Sequence, residues 1–347
     1  MKISIRDIIQ LIIFTSIGAL ILWWLWTSQS NAYVEQCAID GIPSQDCILL
    51  DKLLADFKSC NPVWIGIVCF VYMMSNVCRA LRWRQLLAPL GIHPGFSNAF
   101  LTTMAAYFIN LGLPRSGEFA RAGLLSKYED KPVDKIFGTI IIDRIFDFIS
   151  LFIMLGLGFL LSADVLWNYL KENAPNLVEN FWLYVSILAL VGIIGLASLF
   201  FFLKKTNNSK NPLIGKINKL INGLLKGVQS IKDVKNVPLF IFYSIGIWLG
   251  YYLMNYLMFF AFEPTAHLGP IEGLLVFDFG ALGIVFPSPG GMGTYHAMIR
   301  ESLFISGIDR IDGFSFAMIL FFTINAFCNV FFGLLGLILL PILNAKK

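Results

Sequence analysis

The stretch NLGLPRSGEFAR, from Asn110 to Arg121, decides the fold because it interrupts a membrane-like sequence. It ends an apolar run, Phe96–Leu113, and then places two arginines and a glutamate where hydrocarbon-facing residues are expected. An ionisable residue at the centre of a span costs about 2.5 to 3.5 kcal/mol on insertion scales, so several together need pairing or a function. The stretch therefore predicts a broken helix that lines protein or water.

The composition around this stretch is that of a membrane protein. Of 347 residues, 57% are hydrophobic and 14% are charged, which excludes a water-facing globule. The net charge of +4 requires no nucleic acid, and we expect the lysines to meet anionic inner-leaflet lipids. Apolar runs occur at 8–26, 62–80, 96–113, 137–162, 181–203, 238–262, 271–286 and 313–341.

The six cysteines show no paired metal-ligand spacing, so we expect no metal site and no cofactor. Cys37 and Cys47 share one loop. They form either a disulfide, if that loop faces an oxidising compartment, or two free thiols.

Basic residues near the ends of the apolar runs indicate the cytoplasmic side. Five follow the third run, eight lysines lie between Lys204 and Lys235, and Arg79, Arg82 and Arg84 follow the second run. The loops at 28–60, 163–180 and 305–312 carry more acidic residues and are predicted to be external. Since basic residues flank the third run on both sides, we expect a re-entrant hairpin with half-helices at 96–111 and 118–128.

A second hairpin is predicted from the run at 271–286, which leads into FPSPGGMG, Phe286–Gly293, and a short arm that ends at Ser306. Its flanks carry Glu263, Asp309 and Asp312, so this hairpin should dip in from outside. Backbone breaks at membrane depth are tolerated beside protein or water, so both hairpins should border one cavity.

The predicted fold is an all-α polytopic membrane protein with six full spans and two re-entrant helical hairpins in an inverted repeat. The range 1–203 contains the first repeat, with its hairpin at 96–128. The span 181–203 at the end of this range is the first span of the second repeat. The second continues through 238–347, with its hairpin at 271–307. The basic amphipathic segment 204–237 joins them, as either an interfacial helix or a solvated linker helix. Both termini are predicted to face the cytoplasm, in the cytoplasmic membrane.

Three charged clusters lie on these segments, and all are candidates for function. The first two surround the cytoplasmic hairpin, and the third belongs to the external one, where it is a candidate for ion coupling. They comprise Arg115, Glu118 and Arg121; Asp143, Arg144 and Asp147; and His296, Arg300 and Glu301 with Asp278.

Each break also presents a helix N-terminus, whose free amides and dipole attract anions. With Arg115, Arg121 and Arg144 nearby, the expected ligand is a phosphate, and in a membrane that means a lipid headgroup. The alternative is that these arginines neutralise Glu118, Asp143 and Asp147 and hold helices together.

The motifs NLGLPRSGEFARAGLL, IIDRIFDF and PSPGGMGTYHAM together resemble a flippase-like family that includes the transmembrane region of lysylphosphatidylglycerol synthases. The resemblance runs from about Arg79 to the C-terminus. It implies an integral membrane protein that moves or handles lipids, with substrate-binding residues at the matching positions Arg115, Gly117, Glu118, Arg121, Asp143, Arg144, Asp147, Pro289, Gly290, Gly291 and Gly293.

The chain departs from the family pattern at two positions. Asp143 stands where the family often has glutamate, and His296 stands where it often has an acidic residue. The resemblance does not extend to an aminoacyl-transferase domain, so we expect a transporter and not the synthase.

The leading hypothesis is a flippase that moves a phospholipid or polyprenyl-phosphate-type lipid between leaflets by alternating access, as a monomer or a homo-oligomer. One alternative is a metal-dependent lipid-phosphate transferase that uses Asp143 and Asp147. Another is a non-transporting partner of an envelope-lipid enzyme.

Overall fold

The computed structural model describes residues 47–112, 116–173, 175–180, 234–285 and 293–345, with short pieces between positions 23 and 43 and between 183 and 198. Within these ranges every regular element is helical, which confirms the all-α prediction. The α-helices are α1 (Leu49–Ser59), α2 (Pro62–Leu87), α3 (Phe96–Gly112), α4 (Gly117–Glu129), α5 (Val133–Leu161), α6 (Ala163–Asn173), α7 (Pro175–Glu179), α8 (Val237–Met258), α9 (Pro270–Val285), α10 (Thr294–Ile305), α11 (Arg310–Phe321) and α12 (Asn329–Leu343).

Three described stretches are long and apolar enough to cross a membrane, namely Pro62–Leu90, Val237–Ala261 and Arg310–Leu343. A fourth candidate is α5 taken with the first part of α6, a pair bent by 73°. The predicted spans at 8–26 and 181–203 lie largely outside the described residues, as does most of the linker 204–237. The count of six spans therefore stays a prediction.

The central pair of helices, α2 and α8, begins in the same way. Asn61 and Asn236 each cap a helix with the side-chain oxygen, and a proline follows within the first turn of both. Where the helices cross, Ser75 donates a hydrogen bond to the backbone oxygen of Ile247 at 3.0 Å and packs against Gly250. The absence of a side chain at Gly250 permits this close approach.

Helices α3 and α4 fold back on each other as an antiparallel hairpin. Near its open end, Asn98 donates to the Glu129 carboxylate at 2.7 Å. Near the break, the Gly117 amide donates to the Asn110 side-chain oxygen at 2.7 Å. The helix bounds lie within one or two residues of the predicted half-helices, while re-entry from the cytoplasmic face stays a prediction.

Helices α9 and α10 form a second antiparallel hairpin. The Thr294 hydroxyl donates to the backbone oxygen of Gly283 at 2.7 Å, and Gly280 lies against the side chains of Tyr295 and Ile299. Small residues on α9 thus let the two arms approach closely. Entry of this hairpin from the external face also stays a prediction.

The last predicted span is interrupted by a π-helical segment, Phe322–Cys328, between α11 and α12. The apolar run at 313–341 predicts one span, and nothing in the sequence predicted this interruption. Short π-helical segments are frequent at functional sites because they change which side chains face a neighbour.

Two contacts stabilise the loop predicted to be external. Cys37 and Cys47 form a disulfide, which resolves the open choice between a bridge and two thiols. On α1, Lys52 pairs with Asp56 and with Asp312, each at 3.0 Å. Burial lowers the pKa of the Lys52 ammonium, but the two carboxylates more than offset this, so the net pKa is raised.

Candidate functional site

A buried ion cluster joins α5 to α2. The Arg79 guanidinium lies 2.7 Å from Asp147 and 3.5 Å from Asp143. Arg82 lies 2.7 Å from Asp143 and 2.6 Å from Asp147. Because both arginines are at most 1% exposed, each carboxylate is neutralised within the protein and not by water.

Arg79 and Arg82 were predicted, together with Arg84, to be basic residues that follow the second apolar run. Both lie inside α2, because their charges are balanced by carboxylates on a different helix. A count of basic residues along the chain gives no information about such partners on other helices. The spacing could have indicated this pairing, because Arg79 and Arg82, three apart, lie on one face of a helix, as do Asp143 and Asp147, four apart, on another.

Arg144 connects this cluster to the first hairpin. Its guanidinium lies 3.1 Å from Asp147 and 3.3 Å from Glu118 on α4. The structure therefore brings three of the predicted residues together, across two helices.

Arg121, also on α4, is 2% exposed and stacks on the Trp83 ring at 3.8 Å from its centroid. One terminal nitrogen donates to Asp143 at 3.3 Å, while Nε and the other terminal nitrogen have no hydrogen-bond partner among the residues that the structure describes. It borders a void of about 10 Å³, shared with Asn110 and Arg144, which has the size of one water molecule.

The helix N-termini at the two breaks are already partly satisfied by the chain itself. The Gly117 amide donates to Asn110, and the Gly293 amide donates to His296 Nδ1 at 3.4 Å. These contacts reduce the number of free amides available to a phosphate. Four predicted substrate-binding residues lie outside the described residues: Arg115, Pro289, Gly290 and Gly291.

The residues of the third predicted cluster make separate contacts in the structure. Glu301 pairs with Arg300 at 3.3 Å and with Arg310 at 3.0 Å, and it accepts from Tyr169 at 2.9 Å. His296 lies under Phe321 with ring centroids 4.7 Å apart. Asp278, by contrast, packs against Gly158 on α5.

A cavity of about 480 Å³ lies beside the ion cluster, between helices of the two predicted halves. Its walls are mainly aromatic and aliphatic. Its lining residues include Arg79, Arg144 and Asp147 as its charged groups, the amides Asn76, Asn255, Asn325 and Asn329, and the apolar side chains Phe148, Leu151, Trp248, Met254, Phe277, Ala281, Ile284, Val285 and Ile324.

The charged groups of the cavity form one connected network. Arg79 bridges Asp147 and the Tyr251 hydroxyl, which lies 3.0 Å away, and Tyr107 lies 3.4 Å from Tyr251. Arg144 reaches the same network through Asp147. Of the predicted substrate-binding residues, Arg144 and Asp147 line the cavity, whereas Arg121 faces the separate water-sized void.

The geometry around Asp143 and Asp147 suits guanidinium groups and not a metal ion. Four arginines contact these two carboxylates. No histidine, cysteine or further acidic residue joins them into a metal-ligand set within the described part of the chain. A cation would have to displace arginines that are held by both helices.

Comparison with known proteins identifies the family of this chain. Residues 47–333 match the family model described as the lysylphosphatidylglycerol synthase TM region. The chain is 24% identical over 265 residues to the UPF0104 membrane protein MJ1595 of Methanocaldococcus jannaschii, covering 71% of this chain and 75% of the relative. It is 25% identical over 228 residues to MJ1078 of the same organism, covering 65% of this chain and 91% of the relative. No solved structure matches the chain.

The family match spans the ion cluster, both hairpins and every helix that lines the cavity except the end of the last one. It also agrees with the resemblance that the three sequence motifs carry. The chain is therefore a multi-pass membrane protein that belongs to the lysylphosphatidylglycerol synthase transmembrane-region family.

Proposed function

We propose that this protein translocates a phosphate-bearing lipid between leaflets, with the cavity as its binding site. The observation that carries the proposal is that an apolar cavity of about 480 Å³ has its charged groups gathered in one network around Arg79, Arg144 and Asp147. Such a surface matches an amphiphile, whose headgroup meets the guanidinium groups while its chains contact the aromatic and aliphatic walls.

The charge balance of the cluster favours an anionic headgroup. Among the described residues, four arginines face three carboxylates, which leaves one excess positive charge in the protein interior: Arg79, Arg82, Arg121 and Arg144 against Glu118, Asp143 and Asp147. A buried excess charge is costly, and a phosphate oxygen within reach of Arg144 would reduce that cost. Arg144 is the most suitable contact because its side chain is 34% exposed.

The packing of helices supports an inverted repeat that alternates access to this cavity. In the first half α3 packs on α2, α4 on α3 and α5 on α4; in the second, α9 packs on α8, α10 on α9 and α11 on α10. Between halves, α3 contacts α12 as α9 contacts α5. If α2, α3, α4 and α5 are matched with α8, α9, α10 and the last span, each of these helix contacts has a counterpart. This is the pattern expected for repeats at 1–203 and 238–347 joined by the linker 204–237.

The proposal is tested by leaflet exchange in proteoliposomes. Lipids that carry a fluorophore on one acyl chain and differ in headgroup are reconstituted with the protein, and the outer-leaflet label is quenched chemically. We expect faster exchange than in protein-free vesicles for lipids with a phosphate, and no acceleration for a neutral lipid without one. Equal rates with and without protein for every phosphate-bearing lipid would refute translocation.

Arg144→Gln provides the site-specific test. Losing a charge-assisted hydrogen bond costs about 1.5 to 3 kcal/mol, so exchange should fall by about 10- to 100-fold. Arg84→Gln is the matched control, because Arg84 is on α2, donates to the Pro94 backbone oxygen at 3.0 Å and does not line the cavity. If both variants lose the same activity, the cavity is not the binding site.

A further inference from the structure

Asp278 is a buried acid that the ion cluster does not use. It lies in the middle of α9 and is 3% exposed. Neither carboxylate oxygen has a hydrogen-bond partner, and no ion pair reaches it among the described residues. This contrasts with Asp143 and Asp147, whose oxygens all contact arginines.

The carboxyl of Asp278 occupies the space that a side chain at Gly158 would fill. A Cβ built on Gly158 would overlap the Asp278 carboxyl and lie 3.4 Å from the Leu274 side chain. Asp278 thus closes the seam between α5 and α9. Both helices also contribute residues to the cavity, Leu151 from α5 and Phe277 from α9 among them, so the two helices joined at this seam form part of the cavity wall.

No charged group on the neighbouring elements compensates an ionised Asp278. Beyond Asp147, α5 carries no charged residue, and α8 carries none at all, its titratable groups being tyrosines. On α10, His296 is engaged at the Gly293 amide and Arg300 pairs with Glu301. On α9 itself, Glu272 accepts from the Gly269 amide at 3.0 Å.

A carboxylate without donors against a glycine and a leucine is strongly disfavoured, whereas the protonated acid fits. A metal cation is a poorer occupant, because it needs several oxygen ligands and no set of three histidine, cysteine or acidic residues includes Asp278 in the described part of the chain. When α5 and α9 separate, water reaches the carboxyl and ionisation becomes favourable. Opening of this seam and release of a proton are therefore linked.

We propose that Asp278 is a proton-binding site that couples the transmembrane proton gradient to opening of the cavity between α5 and α9. This coupling rests on the proposed lipid translocation. The seam closes when Asp278 carries the proton on an oxygen facing Gly158, and it opens when that proton leaves to water. One proton per cycle would thereby bias which side of the cavity is accessible.

The first test is spectroscopic and does not depend on transport. The infrared carbonyl band of a protonated carboxyl should be present in the reconstituted wild-type protein at neutral pH and absent in Asp278→Asn. The Asn side chain has the shape of the neutral acid, so this variant should fold. Identical spectra in this region would overturn the proton site.

The second test is leaflet exchange under an imposed proton gradient. Wild-type exchange should change when the gradient is reversed, and Asp278→Asn should lose this response. Glu272→Gln, on the same helix but hydrogen-bonded at its start, is the matched control and should respond like the wild type. Exchange that ignores the gradient in the wild type would refute the coupling and leave translocation intact, whereas absence of exchange at every pH would refute translocation itself.

Discussion

Asp143 accepts from Arg82 and Arg121, lies within ion-pair distance of Arg79, and is 0% exposed. Three positive groups from two helices thus share one carboxylate. The sequence predicted Asp143, Arg144 and Asp147 as one functional cluster, because charged residues in apolar runs stand out. It did not predict their main partners, because which helix faces α5 is decided by tertiary packing and not by local spacing.

Replacing Asp143 by asparagine should strongly destabilise the protein. The change keeps the shape of the side chain but leaves buried guanidinium groups without their counter-charge, a loss of about 3 to 5 kcal/mol when one partner of a buried pair is removed. Thermal unfolding in detergent, followed by fluorescence, measures the effect as a lower Tm. Asp134→Asn, at the exposed start of α5, is the control and should change stability by less than about 1 kcal/mol. Equal stability of wild type and Asp143→Asn would contradict a structural role for the ion cluster.

Helix α4 illustrates what sequence reveals at the scale of an element. A break at Gly112–Gly117 was predicted to separate α3 from α4, because proline and glycine act locally on the backbone. The role of Asn110 was not predicted, although it lies in the same motif. Its side chain caps the next helix across the break, and this contact depends on the hairpin geometry and not on sequence distance.

Gly117→Ala should disrupt the first hairpin. A methyl group there would overlap the Ala106 backbone oxygen and the Asn110 amide, so α3 and α4 must move apart. We expect a lower Tm and loss of leaflet exchange. Gly123→Ala on the same helix is the matched control, because nothing lies within 4 Å of the added methyl group and alanine favours a helix by up to about 1 kcal/mol. If both substitutions are equally tolerated, the close packing at Gly117 does not matter.

At the scale of the whole molecule, the helix contacts define two antiparallel hairpins with a cavity between the predicted halves, while entry of the hairpins from different faces stays a prediction. The sequence predicted opposite entry from the distribution of charge around the apolar runs. Spacing alone could not predict the π-helical segment at 322–328, which contributes Ile324 and Asn325 to the cavity wall. The segment itself packs against α2, and α12 packs against α3, so it depends on tertiary contacts that local spacing does not encode.

The opposite entry of the hairpins makes a topological prediction. The ends of the first hairpin meet at Asn98 and Glu129, so the adjacent exposed residue Lys131 should lie on the cytoplasmic side, while the exposed His267 before the second hairpin should lie outside. In a variant without free cysteines, Lys131→Cys should react with an impermeant maleimide only after the cells are permeabilised, and His267→Cys should react in intact cells. The unsubstituted background controls for nonspecific labelling. If Lys131→Cys reacts in intact cells, α3 crosses the membrane completely and the connection between α4 and α5 lies outside. The first hairpin would then not be re-entrant, and a cavity between two oppositely inserted hairpins would be refuted.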